Sequence, residues 1–268
     1  MSFPLPDENA TCLVTGASSG IGEEIARELA RRGYHLTLTA RRKERLENLA
    51  SELNEQFGVT VQTVACDLRS DDDRARLIAE IAASDKRVDV LINNAGLGGA
   101  GKLHKLDPQR AMDMVDTNIR ALVALCQHYG KQMVARKEGA ILNVASTAAF
   151  QPIPGEAVYS ASKAFVLNFS EALHTEMARA GVTCTVLCPG PTRTEFAEVA
   201  GVEAMFEKVP SFAVASAQDV AIAGVDAMVH GKRSCVPGTF NKISAVAGSK
   251  SPRSVVLKSL QTFWPGAK

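Results

Sequence analysis

Short apolar runs alternate with amphipathic stretches along most of this 268-residue chain, and this alternation limits what it can fold into. Repeated strand–helix units predict a parallel, doubly wound α/β sheet with helices on both faces. Several runs are apolar throughout, as expected for strands covered on both faces. The predicted strands are 11–14, 36–39, 59–64, 88–92, 140–144, 183–187 and 234–236. The predicted helices are 21–32, 43–57, 71–83, 108–136, 157–180 and 217–230.

A glycine-rich turn follows the first apolar run and precedes a helical stretch. It reads Gly16-Ala17-Ser18-Ser19-Gly20-Ile21-Gly22. Glycines permit a tight turn and a close approach of the backbone to a pyrophosphate, which the N-terminus of the helix attracts. Ser18 and Ser19 can cap the helix or bond phosphate. The strand–turn–helix context favours a dinucleotide site over an ordinary glycine turn.

A second set of residues has the spacing of a proton-transfer device. Ser146 precedes Tyr159 by thirteen positions, and Lys163 follows Tyr159 by four, which places the last two on one helix face. A nearby ammonium favours the phenolate and lowers a phenol pKa that is normally about 10. A serine hydroxyl can bond a substrate oxygen. Singly, each residue has an ordinary structural explanation; the set predicts proton transfer beside a hydride carrier.

These motifs together resemble the short-chain dehydrogenase/reductase family. The matching pieces occur in the family's order: the glycine turn, Asn93-Asn94-Ala95-Gly96, Asn118, Ser146, Tyr159-Ser160-Ala161-Ser162-Lys163 and Pro189-Gly190. The resemblance implies a single Rossmann-fold domain over 1–268, with a seven-stranded parallel sheet in the order 3-2-1-4-5-6-7.

The resemblance also implies the catalytic roles. Tyr159 would be the general acid in ketone reduction and the base in the reverse direction. Lys163 would lower the pKa of Tyr159 and bond the nicotinamide ribose, and Ser146 would polarise the carbonyl. Asn118 matches the position that holds a water between Lys163 and solvent. No metal is expected.

The second predicted strand points to NADPH/NADP+ as the cofactor. This strand ends in Ala40-Arg41-Arg42. Sites that bind NAD usually have an Asp or Glu at this position, which accepts a hydrogen bond from the ribose 2′-hydroxyl. A guanidinium can pair with a 2′-phosphate. Arg41 is therefore predicted to discriminate for NADPH, with Arg42 in support; the alternative is a solvated basic start of a helix.

By resemblance, other cofactor contacts follow strands three, four and six. Asp67, with Leu68, matches the adenine-binding position. Asn94, Ala95 and Gly96 end strand four, with Asn94 expected at the adenosine side. In the segment that follows strand six, the contacts expected at the nicotinamide carboxamide are Pro189, Gly190, Thr192 and Thr194.

The segment 195–212 is predicted to be a lid over the substrate. Its apolar residues favour an apolar substrate, or only pack the lid. The stretch 234–242 with Pro252-Arg253 resembles a branch of the family that reduces long-chain 3-oxoacyl or mycolate-type lipid ketones. The C-terminal extension 241–268 has apolar residues at helical spacing: Val256, Leu260, Phe263 and Trp264. This face is expected to pack on its own protein or on a neighbouring subunit, or else to contact a membrane surface or a lipid substrate.

Composition excludes several other classes of protein. The formal net charge is only +1, so the chain lacks the positive electrostatic potential that attracts nucleic acid. No apolar run is long enough to span a bilayer. With no signal-peptide pattern and with six cysteines expected to be reduced, a cytoplasmic protein is predicted.

The leading hypothesis is an NADPH-dependent reductase of an apolar or lipid-like 3-oxoacyl ketone that forms a homodimer or homotetramer through 108–136 and 157–180. Alternatives are a reductase of steroid-like or xenobiotic ketones, a nucleotide-sugar epimerase or dehydratase, and a non-catalytic NADP-binding redox sensor. Exact substrate, direction and stereochemistry are not determined by the sequence.

Overall fold

A seven-stranded parallel sheet forms the centre of the molecule. The computed structural model describes residues 3–202 and 209–263, with the backbone alone for the last two of these. The sheet order is β3-β2-β1-β4-β5-β6-β9, built from Ala10–Thr15 (β1), Leu36–Ala40 (β2), Val61–Ala65 (β3), Arg87–Asn93 (β4), Gly139–Val144 (β5), Val182–Leu187 (β6) and Ser234–Cys235 (β9). The predicted order is confirmed: the seventh strand of the sheet is β9, because Thr192–Arg193 (β7) and Ala215–Ser216 (β8) pair separately.

Helices cover both faces of this sheet. One face packs against Gly20–Arg31 (α1), Lys43–Phe57 (α2) and Ala217–Val229 (α8). The other packs against Asp71–Ala83 (α3), Leu122–Arg136 (α5) and Ala157–Ala178 (α6). The shorter helices are Pro108–Val115 (α4) and Phe196–Ala200 (α7), with single 3₁₀ turns at Leu103–Lys105, Thr147–Phe150 and Ser211–Ala213.

The strands are largely apolar because helices cover both faces of the sheet. In β1, Leu13 packs into the core on one face, while Cys12 and Val14 pack into the core on the other. Successive strand residues point to opposite faces, so a strand buried on both sides is apolar at most positions. The unbroken apolar runs therefore marked the strands of the central sheet to within about two residues.

The predicted helix over 108–136 is interrupted in the structure. Helix α4 passes into a π-helical turn, Asp116–Ala121, before α5 begins. Such turns arise where local geometry is fixed by something other than helix propensity, often at functional sites. The turn buries Thr117 and Asn118 on the side of the sheet that carries α6.

The C-terminal extension forms two helices, Thr239–Lys250 (α9) and Arg253–Phe263 (α10). Val256 is buried, as its helical spacing predicted. Trp264 lies outside the described residues, as does the side chain of Phe263. In the predicted lid, residues 203–208 lie outside them too. Within the described ranges, no helix is both long and apolar enough to cross a membrane.

Candidate active site

One large cavity of about 810 Å³ opens at the carboxyl ends of the sheet strands. This is the edge at which open α/β sheets bind ligands. Of the predicted site residues, 19 line it: Gly16, Ser18, Ser19, Gly20, Ile21, Arg41, Arg42, Asp67, Leu68, Asn94, Ala95, Gly96, Ser146, Tyr159, Lys163, Pro189, Gly190, Thr192 and Thr194. Gly22 and Asn118 are the two that do not, and they contact residues that do.

The glycine turn is packed too closely for side chains. A Cβ on Gly22 would lie 2.2 Å from the amide nitrogen of Asn94 and 2.4 Å from the carbonyl oxygen of Gly16. Gly16 also has φ +67°, a left-handed conformation that favours glycine. The turn therefore brings the N-terminus of α1, with its unpaired N–H groups, to the edge of the cavity.

Thr15 and Asn94 fix this turn to the sheet. The Thr15 hydroxyl donates to the carbonyl oxygen of Ile92 and accepts from the backbone N–H groups of Asn94 and Ala95. The Asn94 amide donates to the carbonyl oxygens of Thr15 and Gly16. Asn94 was expected to contact the adenosine part of the cofactor, but both hydrogens of its side-chain amide are donated to the glycine turn. Thr15 opens the glycine motif in the sequence, but it was not predicted as a site residue, because a threonine at the end of a strand does not show which distant groups it will bond.

The two predicted phosphate-binding arginines differ in their partners. Arg42 donates to the hydroxyls of Ser18 and Ser19 and forms an ion pair with Glu195. Ser19 occupies the N-cap position of α1 without a capping bond from its side chain. Arg41 is exposed and lines the cavity, and it makes no hydrogen bond or ion pair with a described residue. Its guanidinium is therefore available to a ligand anion.

Asp67 lies next to this arginine pair but is itself paired. Its carboxylate accepts from the guanidinium and the backbone N–H of Arg69. These bonds hold the pKa of the Asp67 carboxyl below its usual value. The ion pair fixes the carboxylate at the cavity wall in its charged form.

Tyr159 and Lys163 lie one turn apart on α6, as their spacing predicted. The Lys163 Nζ is 5.9 Å from the centre of the Tyr159 ring and donates to the carbonyl oxygen of Val144. Ser146 follows β5 and begins the 3₁₀ turn, its hydroxyl accepting from the N–H of Ala148. The sheet edge therefore brings together three residues that the chain separates.

Burial is the main influence on the pKa values of Tyr159 and Lys163, whereas the sequence led us to expect that the Lys163 ammonium would dominate the pKa of Tyr159. Burial raises the pKa of the Tyr159 phenol, and the Ser146 hydroxyl acts against that shift. Burial also lowers the pKa of Lys163 to about 8. The expected lowering of the phenol pKa by the ammonium is not seen, because desolvation disfavours both charged forms. A protonated phenol is the form that can donate a proton.

Asn118 lies outside the cavity lining and connects two segments that form the site. Its side chain accepts from the N–H of Leu97 and donates to the Leu97 carbonyl oxygen and to the hydroxyl of Ser162. The π-helical turn thus ties the loop after β4 to α6. A Cβ on Gly96 would lie 3.2 Å from Lys163 Nζ and 3.4 Å from the Asn118 oxygen, so this glycine lets the loop approach closely.

The segment after β6 lines the cavity and packs against the glycine turn, since a Cβ on Gly20 would lie 2.9 Å from a side-chain carbon of Thr194. A Cβ on Gly190 would lie 2.3 to 2.5 Å from side-chain atoms of Asn241, which is buried. The Thr192 hydroxyl donates to the Gly190 carbonyl oxygen, and Thr194 Oγ1 accepts from the N–H of Phe196. The two threonines therefore shape this turn.

The substrate end is bounded by apolar side chains from two segments. The Phe196 ring lies 5.6 Å from that of Tyr159, and Val199, Val202 and Val209 extend the same wall. The C-terminal helices add Phe240, Asn241, Ser244 and Leu260. None of the four was predicted as a site residue, although contact of the C-terminal extension with a lipid substrate was one of the alternatives. Helical spacing shows which face is apolar but not which surface that face meets.

The fold and the cavity define a nucleotide-binding α/β enzyme, and comparison gives its family. A family model for short chain dehydrogenases matches residues 10–203. A Streptomyces coelicolor protein assigned as a ketoacyl reductase is 39% identical over 192 residues, which cover 71% of this chain and 73% of that protein. The chain belongs to the short-chain dehydrogenase family, whose members are NAD(P)-dependent oxidoreductases.

Two solved structures share this fold over nearly the whole chain. A short-chain dehydrogenase from Sphingobium yanoikuyae in complex with NADPH has a TM-score of 0.80 and 31% identity, covering 97% of this chain and 98% of that one. A variant of actinorhodin polyketide ketoreductase with NADPH has a TM-score of 0.78 and 30% identity, covering 92% and 100%. The NADPH in these structures agrees with the cofactor expected from the sequence.

Replacing Thr15 by Val should destabilise the protein by about 1–3 kcal/mol, because three hydrogen bonds at a buried position lose their partner. Chemical denaturation measures this loss. Thr60→Val, at an exposed position, is the control and should change stability by under about 0.5 kcal/mol. Equal effects of the two substitutions would contradict the role assigned to Thr15.

Proposed function

We propose that this protein is an NADPH-dependent reductase that converts an apolar, lipid-like 3-oxoacyl ketone to a secondary alcohol. The observation that carries the proposal is a single cavity with two chemically distinct ends. The glycine turn and the unpaired Arg41 lie at one end, and Ser146, Tyr159 and Lys163 at the other. Such a cavity suits a dinucleotide that reaches from phosphate sites to a proton donor.

The side chains fit a dinucleotide. Close packing at Gly16 and Gly22 leaves the N-terminus of α1 uncovered for a pyrophosphate. When bound, the cofactor supplies the hydride. Tyr159 gives its phenolic proton to the carbonyl oxygen, and the raised pKa of its phenol keeps that proton in place until it is needed. Ser146 donates a hydrogen bond to the same oxygen, and Lys163 stabilises the phenolate that remains.

The preference for NADPH rests on Arg41. Its guanidinium lies at the cavity rim with no hydrogen bond or ion pair to a described residue, although the nearby Asp67 carboxylate attracts it, and it can form charge-assisted hydrogen bonds with a 2′-phosphate. Arg42, already bonded to Ser18 and Ser19, would add positive charge and stiffen the glycine turn.

Apolar residues support the lipid-like substrate. The wall formed by Phe196, Val199, Val202, Phe240 and Leu260 can exclude water and contact an alkyl chain. One relative is assigned as a ketoacyl reductase and one structural neighbour is named as a polyketide ketoreductase, and both names support an oxoacyl ketone as the substrate.

Reduction of 3-oxoacyl thioesters, followed by NADPH absorbance, tests the substrate class. We expect kcat/KM to rise with chain length by up to about fourfold per methylene until the wall is covered. Leu260→Asn should flatten this rise, while Leu257→Asn, on the same helix but away from the cavity, should not. Turnover of ketones with no dependence on chain length would leave a reductase of other ketones, such as steroid-like ones.

Tyr159→Phe should bind NADPH normally but lose turnover by about 10²–10⁴-fold, because the proton donor is removed. Cofactor binding is followed by fluorescence and turnover by absorbance. Tyr129→Phe is the matched control, since the Tyr129 hydroxyl is buried without a partner among the described residues. Near-normal turnover of the Tyr159 variant would remove the residue from catalysis. Binding of NADPH by the wild type without turnover of any ketone would favour a redox sensor.

Arg41→Ala should weaken NADPH binding by about 10–100-fold and leave NADH binding unchanged, because charge-assisted hydrogen bonds to the 2′-phosphate are lost. Titration calorimetry with both cofactors measures the effect. Lys131→Ala, an exposed cation on α5, controls for the net charge. Similar losses for NADPH and NADH would contradict the assignment.

A further inference from the structure

Glu156 is a buried carboxyl that neither the fold nor the mechanism uses. It is 7% exposed and comes directly before α6, three residues before Tyr159. At the N-cap position its side chain makes no capping bond. The carboxyl makes no hydrogen bond or ion pair with any residue that the structure describes. A buried carboxyl without a partner costs free energy, so the fold gains nothing from it.

Glu156 lies in the part of the cavity where the substrate carbonyl would be reduced. It lines the cavity together with Tyr159, Ser146 and the nearby Gln151 and Ile153. Its charge, when present, raises the pKa of the Tyr159 phenol, so the two groups interact electrostatically. An unpartnered carboxyl in this position can meet a polar atom of the substrate.

We infer that Glu156 is a substrate-binding residue that, as the neutral acid, donates a hydrogen bond to a second carbonyl oxygen of the substrate, two carbons from the ketone. This inference rests on the proposed function and names the residue that recognises the acyl carbonyl of its 3-oxoacyl substrate. A neutral acid suits an apolar cavity, whereas a carboxylate there would favour a cationic substrate.

The protonation state supports the neutral acid. Burial raises the pKa of the Glu156 carboxyl to about 7, and no neighbouring charge contributes to that shift. The Tyr159 phenol is the titratable group coupled to it, and Lys163 lies one turn further along α6. The carboxyl therefore holds its proton below about pH 7 and loses it as the pH rises through that value.

Two substrates and two variants test the inference. The substrates are ethyl 3-oxohexanoate and the ethoxy ketone that has a methylene in place of its ester carbonyl. Glu156→Ala should lower kcat/KM for the 3-oxo ester about tenfold and leave the ethoxy ketone little changed, because only the former loses a hydrogen bond. Glu156→Gln should keep most activity, since its amide also donates.

The pH profile gives a readout that a structural role would not produce. Wild-type kcat/KM for the 3-oxo ester should fall as the pH rises through about 7, and this fall should be absent with Glu156→Gln. The melting temperature of either variant should be unchanged or higher, because an unpartnered buried carboxyl is removed.

Four results would overturn the inference. Equal losses on both substrates would show that Glu156 acts on the ketone end or on folding. Activity that rises above pH 7, with a preference for amino ketones, would show a cation site. A wild-type enzyme that reduces neither substrate would remove the proposed function itself, whereas reduction of both with no effect of Glu156→Ala would remove only the role of Glu156.

Discussion

The hydrogen bonds at the carboxyl ends of β1 and β4 are the constraint on which the site depends. Thr15, 1% exposed, joins the two strand ends through its hydroxyl, and Asn94 returns two bonds to the glycine turn. Parallel strands leave polar backbone groups at this edge that need partners. Satisfying them with short side chains leaves the N-terminus of α1 free to face a ligand.

The catalytic end follows a different physical principle. Lys163 and Glu156 are both more than nine-tenths buried. Burial lowers the pKa of Lys163 and raises the pKa of Glu156, and both shifts favour the neutral form. It likewise keeps the proton on Tyr159. Desolvation thus favours neutral, proton-holding acids in this part of the cavity, while exposed arginines at the other end suit a phosphate.

Much of this arrangement was predictable from the sequence. Apolar runs marked the sheet strands because burial on both faces favours them, and the strand order followed from the resemblance to the short-chain dehydrogenase/reductase family. The π-helical turn at Asn118 was not predictable, since helix propensity and spacing are the same on either side of it. The sequence did not predict Phe240 and Leu260 as lining residues, because local spacing does not show which part of a cavity formed by distant earlier segments a C-terminal helix will meet.

The sequence by itself determined the class of fold, the glycine turn and the spacing of Tyr159 and Lys163, because these depend on local periodicity and backbone geometry. Only the tertiary structure decided which groups are paired and which are free. Arg42 and Asp67 form ion pairs within the protein, whereas Arg41 and Glu156 line the cavity without an ion pair or hydrogen bond to a described residue. Pairing and burial depend on contacts between distant segments, and these contacts set the charge and the hydrogen-bonding capacity that each side chain can offer a ligand.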